Sequence, residues 1–600
     1  MKRSDIDRKY KWDLSAIFAT EEDYEREYSE VLALISGFPR HESVMTSSAE
    51  ELYSALSELA EIEKRAGRIF SYASLSYYVD TRDPIAQARN AKSRDLAQKA
   101  DEATWFVSPR LLSLDGERLR EYFSECPELS RFRRLIDKNM RYKPHTLSDE
   151  CEELMTRLGD CLGLHSDVRS TFAISDLTFG KIRDENGKTV TLADTNYIKY
   201  MMSSDRRVRR SAFKTLYKTY DQFKNTFAAL YYNHVKEETT RARVRGFESS
   251  IVASTFADEV TPEIYNNLIA TVNKSLPKLF EYYELKREVL GLSKLHMYDI
   301  YTPLLAKGES REYTYEQACS EVLRMAEIFG EEYHSVMKRG LTERGWVDVY
   351  PSEGKRGGAF SAATPGTEPY ILMNFNGTAE DVSTLAHEGG HSMHSYYSQG
   401  ANEAHNSRYT LFVAEVASTV NELLLMHMKL RESESREEKL DILNQLMELY
   451  KSTLYRQTML AEFERDAHAA VEAGKPLTAE VVDGMYYDTV KRYFGKDVVC
   501  DGEIALEWMR IPHFYMTFYV YKYATCISAA SAIVKRIETE GESYISQYID
   551  FLRCGGSKSP LDSLKVAGID MARPEVVDVA AEEFALAVSE FKKLYGESVK

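Results

Sequence analysis

Most of the chain repeats its apolar residues with a helical period. Up to about residue 175 it runs as successive amphipathic segments. "TEEDYEREYSEVLALISGF", "DEATWFVSPRLLSL" and "SRFRRLIDKNMRY" each set apolar residues three and four apart, the spacing that lines one helix face. Thr20 with Asp23 three residues on predicts a capped helix start. Near 175–195 the period falls to two. "LTFGKIRDENGKTVTL" places β-branched and aromatic runs on either side of Asn186-Gly187, a strong hairpin signal. A domain boundary is placed there, giving an N-terminal helical domain over 1–195 and a second domain over 196–600. Helical spacing resumes from about 200 to 340, punctuated by Pro262 and Pro277. A second β patch over 346–376 breaks at Pro and Gly into "WVDVY", "GGAFSAA" and "YILMNF", predicting a small antiparallel sheet that leads straight into a helix. The remainder, from 378, is helical again. No fixed-period repeat or low-complexity tract interrupts this order, and the fold class read from it is mainly α.

Composition narrows the picture. At 600 residues and 44% apolar, the chain is long enough for more than one core. Only 30 Gly and 15 Pro occur, below average usage of about 7% and 5%, which suits long helices. A net charge of −17 speaks against nucleic acid and anionic membrane as partners, because both are held by Lys and Arg. The seven cysteines are widely spaced and contain no CxxC, so a reducing compartment is expected. The opening "MKRSDIDRKYKWDLSAIF" carries charges where a signal peptide would have its apolar core. The longest nearly apolar run, 524–534, falls short of the roughly 20 residues that span a bilayer. The expectation is a cytoplasmic protein, with its oligomeric state open.

The chemistry concentrates in "TLAHEGGHSMHSYY", 384–397, on the helix that Thr378 and Asp381 would cap. His387 and His391 lie four apart on one face, with Glu388 between them. This is HExxH, in which two neutral imidazoles bind zinc and the carboxylate is a general base. Zinc needs a third protein ligand. Position 397 is Tyr, which excludes the metzincin arrangement. Glu403 sits in polar "QGANEAHNS" and reads as solvated. Glu415 sits in apolar "LFVAEVAST", where a carboxylate must be paired or bound to metal, and is the leading candidate. Glu422, two turns on, reads as a supporting group. His394 reads as a packing or hydrogen-bonding residue, and His405, His427 and His468 as surface or helix-face residues. Gly389 and Gly390 are anomalous, since each glycine inside a helix costs about 0.8–1.0 kcal/mol relative to Ala. Gly390 reads as making room beside the metal for another backbone, a neighbouring helix or the substrate. In "RIPHFYMTFYVYKYATC", 510–526, a helix starting after Pro512 would put Met516, Tyr519 and Tyr523 on one stripe and turn Tyr521 elsewhere. Tyr and His are the donors that would stabilise an oxyanion.

"LAHEGGHSMHS", "YTLFVAEVASTVNELLL" and "IPHFYMTFYVYKYAT", with "KYKWDLSAIF" and "GKRGGAFSAATPGTEPYILMNFNGT", resemble in order the blocks of the oligoendopeptidase F branch of the M3 zinc metallopeptidases, relatives of thimet oligopeptidase. The resemblance covers nearly the whole chain. It implies a two-lobed, almost all-α zincin-type metallopeptidase with a deep substrate channel and one Zn2+ per chain beside the small sheet. It also implies hydrolysis of internal bonds in short peptides. By motif, His387, His391 and Glu415 would be ligands and Glu388 the base, while His513 and the tyrosines of the third block would hold substrate and oxyanion. Tyr519 and Tyr523 fit that role, with Tyr521 in reserve. Gly389 stands where these proteins usually carry a larger apolar residue. An extended peptide would add as a strand at the sheet edge, along Gly358, Ala359 and Phe360. Two other readings remain open: a zinc exopeptidase or dipeptidyl carboxypeptidase of similar fold, and a non-catalytic peptide-binding scaffold.

Overall fold

The computed structural model of the chain describes residues 1–159, 161–305 and 312–596. Helices dominate it, as the apolar spacing predicts, and the strands are few and short. The hairpin forms where expected, β1 (Lys181–Arg183) antiparallel to β2 (Thr189–Thr191), with Gly187 at φ 76° in its turn. An unanticipated pair joins β3 (Leu295–His296) in parallel to β7 (Val498–Val499). The 346–376 patch gives β4 (Val347–Asp348), β5 (Phe360–Ala362) and β6 (Tyr370–Leu372), in spatial order β4–β6–β5. β5 is antiparallel to β6 but β4 is parallel to it, so the sheet is mixed and not wholly antiparallel. The reason is topological: the chain passes over β6's place to lay β5 at the edge, then returns between the two.

The chain divides into two compact units, neither continuous in sequence. One comprises Met1–Pro144, Ser310–Met428 and Ile533–Ile569, and the other His145–Glu309, Lys429–Ala532 and Asp570–Lys600. This division differs from the linear border expected at 195. Apolar periodicity reports which face of an element is buried, not which distant segment buries it.

In the first unit, the Glu21–Gly37 helix starts as predicted, with Thr20 Oγ1 accepting the Asp23 N–H. Its buried Tyr24, Val31 and Ile35 share one core with Leu52, Leu111 and Phe132, and Tyr370 and Leu372 of β6 enter the same core. The N-terminal segment buttresses the sheet. Trp12 packs edge-on against Tyr370, whose hydroxyl donates to the Asp13 carbonyl at 3.0 Å. The Val349 N–H donates to the Tyr10 carbonyl at 3.0 Å. Asp348 of β4, fully buried, is neutralised by Arg3 at 2.6 Å and Lys355 at 2.8 Å. With β4 and β5 flanking β6, the outer edge of β5 is left without a strand partner among the described residues.

In the second unit, long helices Arg206–Val244, Pro262–Val289, Arg456–Glu472, Ala479–Phe494 and Pro574–Gly596 pack around an aromatic core. Pro262 opens its helix, but Pro277 sits inside that helix and does not end it. Buried Asp299 is held by Arg206 and Arg209, both at 2.8 Å.

Candidate metal and catalytic site

The helix Ala379–Ala401 begins with the predicted capping box: Thr378 Oγ1 accepts the Asp381 N–H, and the Asp381 carboxylate accepts the Thr378 N–H. Two turns into it His387, and one turn further His391, aim their Nε2 atoms at one carboxylate oxygen of Glu415, at 3.2 and 3.4 Å. Glu415 comes from the helix Leu411–Glu432, which is apolar and long enough to cross a membrane by composition alone yet is mostly buried. The candidate ligand atoms of the three residues lie within 4.8 Å of one another. Burial opposes charge on Glu415, but the two imidazoles overcome it and hold its pKa far below the carboxylate range. Burial likewise opposes charge on His387, but Glu415 and Glu422 outweigh it and raise that imidazole to about 10. The arrangement therefore calls for positive charge at its centre. Two imidazole nitrogens and a carboxylate oxygen form a donor set that fits a zinc-class cation.

Supporting groups fix these side chains. Glu422 Oε2 lies 3.4 Å from His387 Nδ1, and its other oxygen accepts from Ser383 at 3.1 Å. A carboxylate on the second ring nitrogen sets the tautomer that leaves Nε2 as ligand. Asn421 donates to the Ala386 carbonyl at 3.3 Å and accepts from Tyr333 at 3.0 Å, clamping the two ligand helices together. Glu388 is 6% exposed, and its Oε2 has no hydrogen-bond partner among the described residues. Burial raises its pKa above the ordinary carboxylate value, against the pull of His387 and His391. Ser392 donates to the Glu388 carbonyl at 2.9 Å and meets Ser361 of β5 at 2.9 Å, tying this helix to the sheet edge.

The two glycines have separate explanations. A Cβ on Gly390 would lie 2.6 Å from the Ala417 carbonyl oxygen and 2.7 Å from the Ser418 Cα, so the helix bearing Glu415 passes directly against it. A Cβ on Gly389 would meet only the flexible end of Met337, at 3.2 Å. Gly390→Ala should therefore cost about 1–3 kcal/mol of stability and weaken metal binding. Gly389→Ala should be neutral or stabilise by up to about 1 kcal/mol. Thermal unfolding and metal titration of the two variants check both.

Gly358 sits just before β5 at φ 81°, and its carbonyl accepts from Asn374 at 2.8 Å. A left-handed turn, not crowding, is what requires glycine there, because a Cβ would meet nothing within 4 Å. Ala359 and Phe360 continue onto the β5 edge, with Phe360 edge-on to Tyr78 at 5.6 Å.

The third block lies in the second unit and departs from the expected continuous helix. Pro512–Tyr515 is a short 3-10 turn, and the helix proper starts only at Tyr521. Between them Thr517 and Phe518 take φ of 20° and 54°, and Met516 is exposed. The cause is a buried acid: Glu464 accepts the Phe518 N–H at 2.6 Å and holds the left-handed turn. The turn brings Tyr519 face to face with His513 at 5.8 Å, and the Tyr519 and Tyr523 hydroxyls to 3.2 Å. Tyr521 is not part of this group. It is fully buried against Tyr265 with its hydroxyl on Asp258, so its reserve role in substrate binding is set aside. Burial and Arg169 lower the pKa of His513, keeping it neutral around pH 7. Burial raises Glu464 to about 8, so the neutral acid predominates at pH 7. Glu464→Gln should thus keep the turn and near-normal activity. Glu464→Ala leaves a buried N–H unpaired, which should cost about 1–3 kcal/mol and lower activity. Denaturant unfolding with steady-state kinetics on the pair checks this.

Of the other histidines, His394 stacks on Tyr409 with ring centroids 3.7 Å apart, a packing role. His427 approaches Glu538 at 3.2 Å. His405 and His468 are not surface residues: His405 Nε2 meets the Arg131 carbonyl at 3.0 Å, and His468 is buried with Nδ1 2.9 Å from Ser250. Glu403 is exposed, as expected, and pairs with Arg131.

Sequence and structure comparisons agree on relatives. The profile of peptidase family M3 matches residues 199–582, and one described as Oligopeptidase F matches 110–179. Oligopeptidase PepF of Bacillus subtilis is 40% identical over 592 residues, covering 99% of this chain and 88% of its own. Group B oligopeptidase PepB of Streptococcus agalactiae is 34% identical, covering 100% and 99%. The crystal structure of oligoendopeptidase-F from Enterococcus faecium aligns with a TM-score of 0.75 at 31% identity, over 96% of this chain and 99% of that one.

Proposed function

This chain belongs to peptidase family M3, in its oligoendopeptidase F branch, and we propose that it is a zinc-dependent endopeptidase cutting internal bonds of short, unstructured peptides. The observation that carries the reading is the convergence of His387, His391 and Glu415 beside Glu388, whose buried carboxylate keeps one oxygen without a hydrogen-bond partner among the described residues. Held by those three ligands, zinc would supply Lewis acidity toward the scissile carbonyl and lower the pKa of water there. Glu388 takes a proton from the attacking water and returns it to the leaving amine. Burial raises its pKa, which favours its holding a proton between the two transfers. Glu422 and Ser383 keep His387 oriented. His513, Tyr519 and Tyr523 take the oxyanion role implied by the family, supported by their assembly within their own unit. The substrate backbone pairs with the outer edge of β5, which supplies main-chain partners without selecting side chains.

Removal of metal tests the reading. Dialysis against a chelator should abolish cleavage of an internally quenched peptide, and one equivalent of zinc should restore it. Unchanged cleavage by metal-free protein would refute it. Acidification should act the same way, because the imidazoles must be neutral to bind. The zinc dissociation constant should rise about tenfold per pH unit for each proton displaced, as measured by metal content after dialysis at stepped pH.

A further inference from the structure

A second cavity, of about 340 Å³, lies wholly among residues of the second unit. Neither the metal-centre residues nor His513, Tyr519 and Tyr523 line it. Its walls are aromatic: Tyr197, Phe213 and Tyr217 come from two helices, and Tyr283 stacks on Phe494 with centroids 5.0 Å apart. Lys451, Ser452 and Tyr455 also line it, from a π-helical turn at Lys451–Tyr455. Such turns widen a helix locally and recur at functional sites.

The polar groups of the cavity are of two kinds. Four charges are paired across its wall. Arg456 gives both terminal nitrogens to Glu507, at 2.9 and 3.2 Å, and Lys451 pairs with Glu448. In contrast, the hydroxyls of Tyr197, Tyr283 and Tyr301 make no hydrogen bond to any described residue, although Tyr197 and Tyr283 are buried. All three residues line the same cavity. Protein interiors are close-packed, and buried hydroxyls ordinarily find partners. A cavity that keeps both a void and lining hydroxyls without a protein partner offers an occupant room and polar contacts.

We propose that this cavity binds a small zwitterion with an aromatic body, an aromatic amino acid or an aromatic dipeptide. The rings accept the aromatic body. Two acids and two bases leave no net charge at the wall, so a ligand bearing one charge of each sign matches it better than an anion or a cation. Arg456 and Lys451 are the cations open to the carboxylate. Glu448, which also accepts from Tyr282, and Glu507, which also accepts from Tyr486, are the acids open to the ammonium, with the hydroxyls of Tyr197, Tyr283 and Tyr301 as further polar contacts. The volume is near the lower end of small-molecule pockets, about 300–1,000 Å³, which admits an amino acid or dipeptide but not an oligopeptide. The inference does not depend on the peptidase reading.

The test is calorimetric titration of the full-length protein with L-tryptophan and with L-phenylalanyl-L-phenylalanine, beside N-acetyl-L-phenylalaninamide, which lacks both charges. At least one zwitterion should bind at one per chain and raise the unfolding temperature, with the capped compound at least tenfold weaker. Met459→Trp plugs the cavity from its wall and Ser452→Trp from an exposed position at its rim, and each should abolish this binding while metal content stays normal. Should Met459→Trp fail to fold, Ser452→Trp still decides. Binding should also survive chelation, which separates this site from the metal centre. The proposal is overturned if no zwitterion binds, if the capped compound binds equally well, if binding persists in folded Ser452→Trp, or if chelation removes it.

Discussion

Glu388→Gln should lower kcat by roughly 10²–10⁴-fold, the span that positioned acid–base catalysis supplies, while zinc stays bound at one per chain. The amide is isosteric with the acid, so the packing of a side chain 6% exposed is kept. It cannot accept the proton of the attacking water. Glu388 also has a buried oxygen with no partner among the described residues, immediately beside His387 in sequence. A structural carboxylate in that position would instead be hydrogen-bonded. Steady-state kinetics with metal analysis on the same sample separates the outcomes. Lost activity with retained zinc assigns the base, and wild-type activity would move that role to another group.

Glu415→Ala should lose the metal itself. Glu415 is the group that both imidazoles approach, at 3.2 and 3.4 Å, and without it only two of the three proposed ligands remain. Glu422→Ala should be milder. It removes the acceptor at His387 Nδ1, a change that typically weakens metal affinity about 10–100-fold. Elemental analysis after dialysis should find zinc absent from the first variant and reduced in the second. Stoichiometric zinc in Glu415→Ala would place the third ligand elsewhere, with Glu422 the next to examine.

What the sequence disclosed and what it withheld follow from the range of the forces involved. The capping box at Thr378, the shared face of His387 and His391 and the hairpin at Asn186-Gly187 are local, and each was legible from spacing alone. Glu415 stood out because a carboxylate inside an apolar run is costly unless something compensates it. Gly390 was visible as an anomaly, but its cause is the Ala417–Ser418 backbone of another helix, which no local pattern records. The break at Thr517–Phe518 is similar. It is held by Glu464, more than fifty residues upstream, so an aromatic-rich stretch that reads as one helix is helical only from Tyr521. The parallel pairing of β4 with β6 and the interleaving of the two units also depend on partners distant in the chain. Residues 145–195 show this most plainly: their local pattern gives helix and then hairpin but not the unit they join, which is the second.

The most direct measurement is the mass spectrum of the products from an unstructured peptide of a dozen or so residues, incubated with the zinc-loaded protein and, in parallel, with its Glu388→Gln variant. The account predicts fragments from cleavage at internal bonds with the wild type, and intact peptide with the variant. Ladders shortened stepwise from one terminus would contradict the endopeptidase assignment in favour of an exopeptidase. Intact peptide from both, with zinc bound, would contradict peptide hydrolysis and favour a binding scaffold.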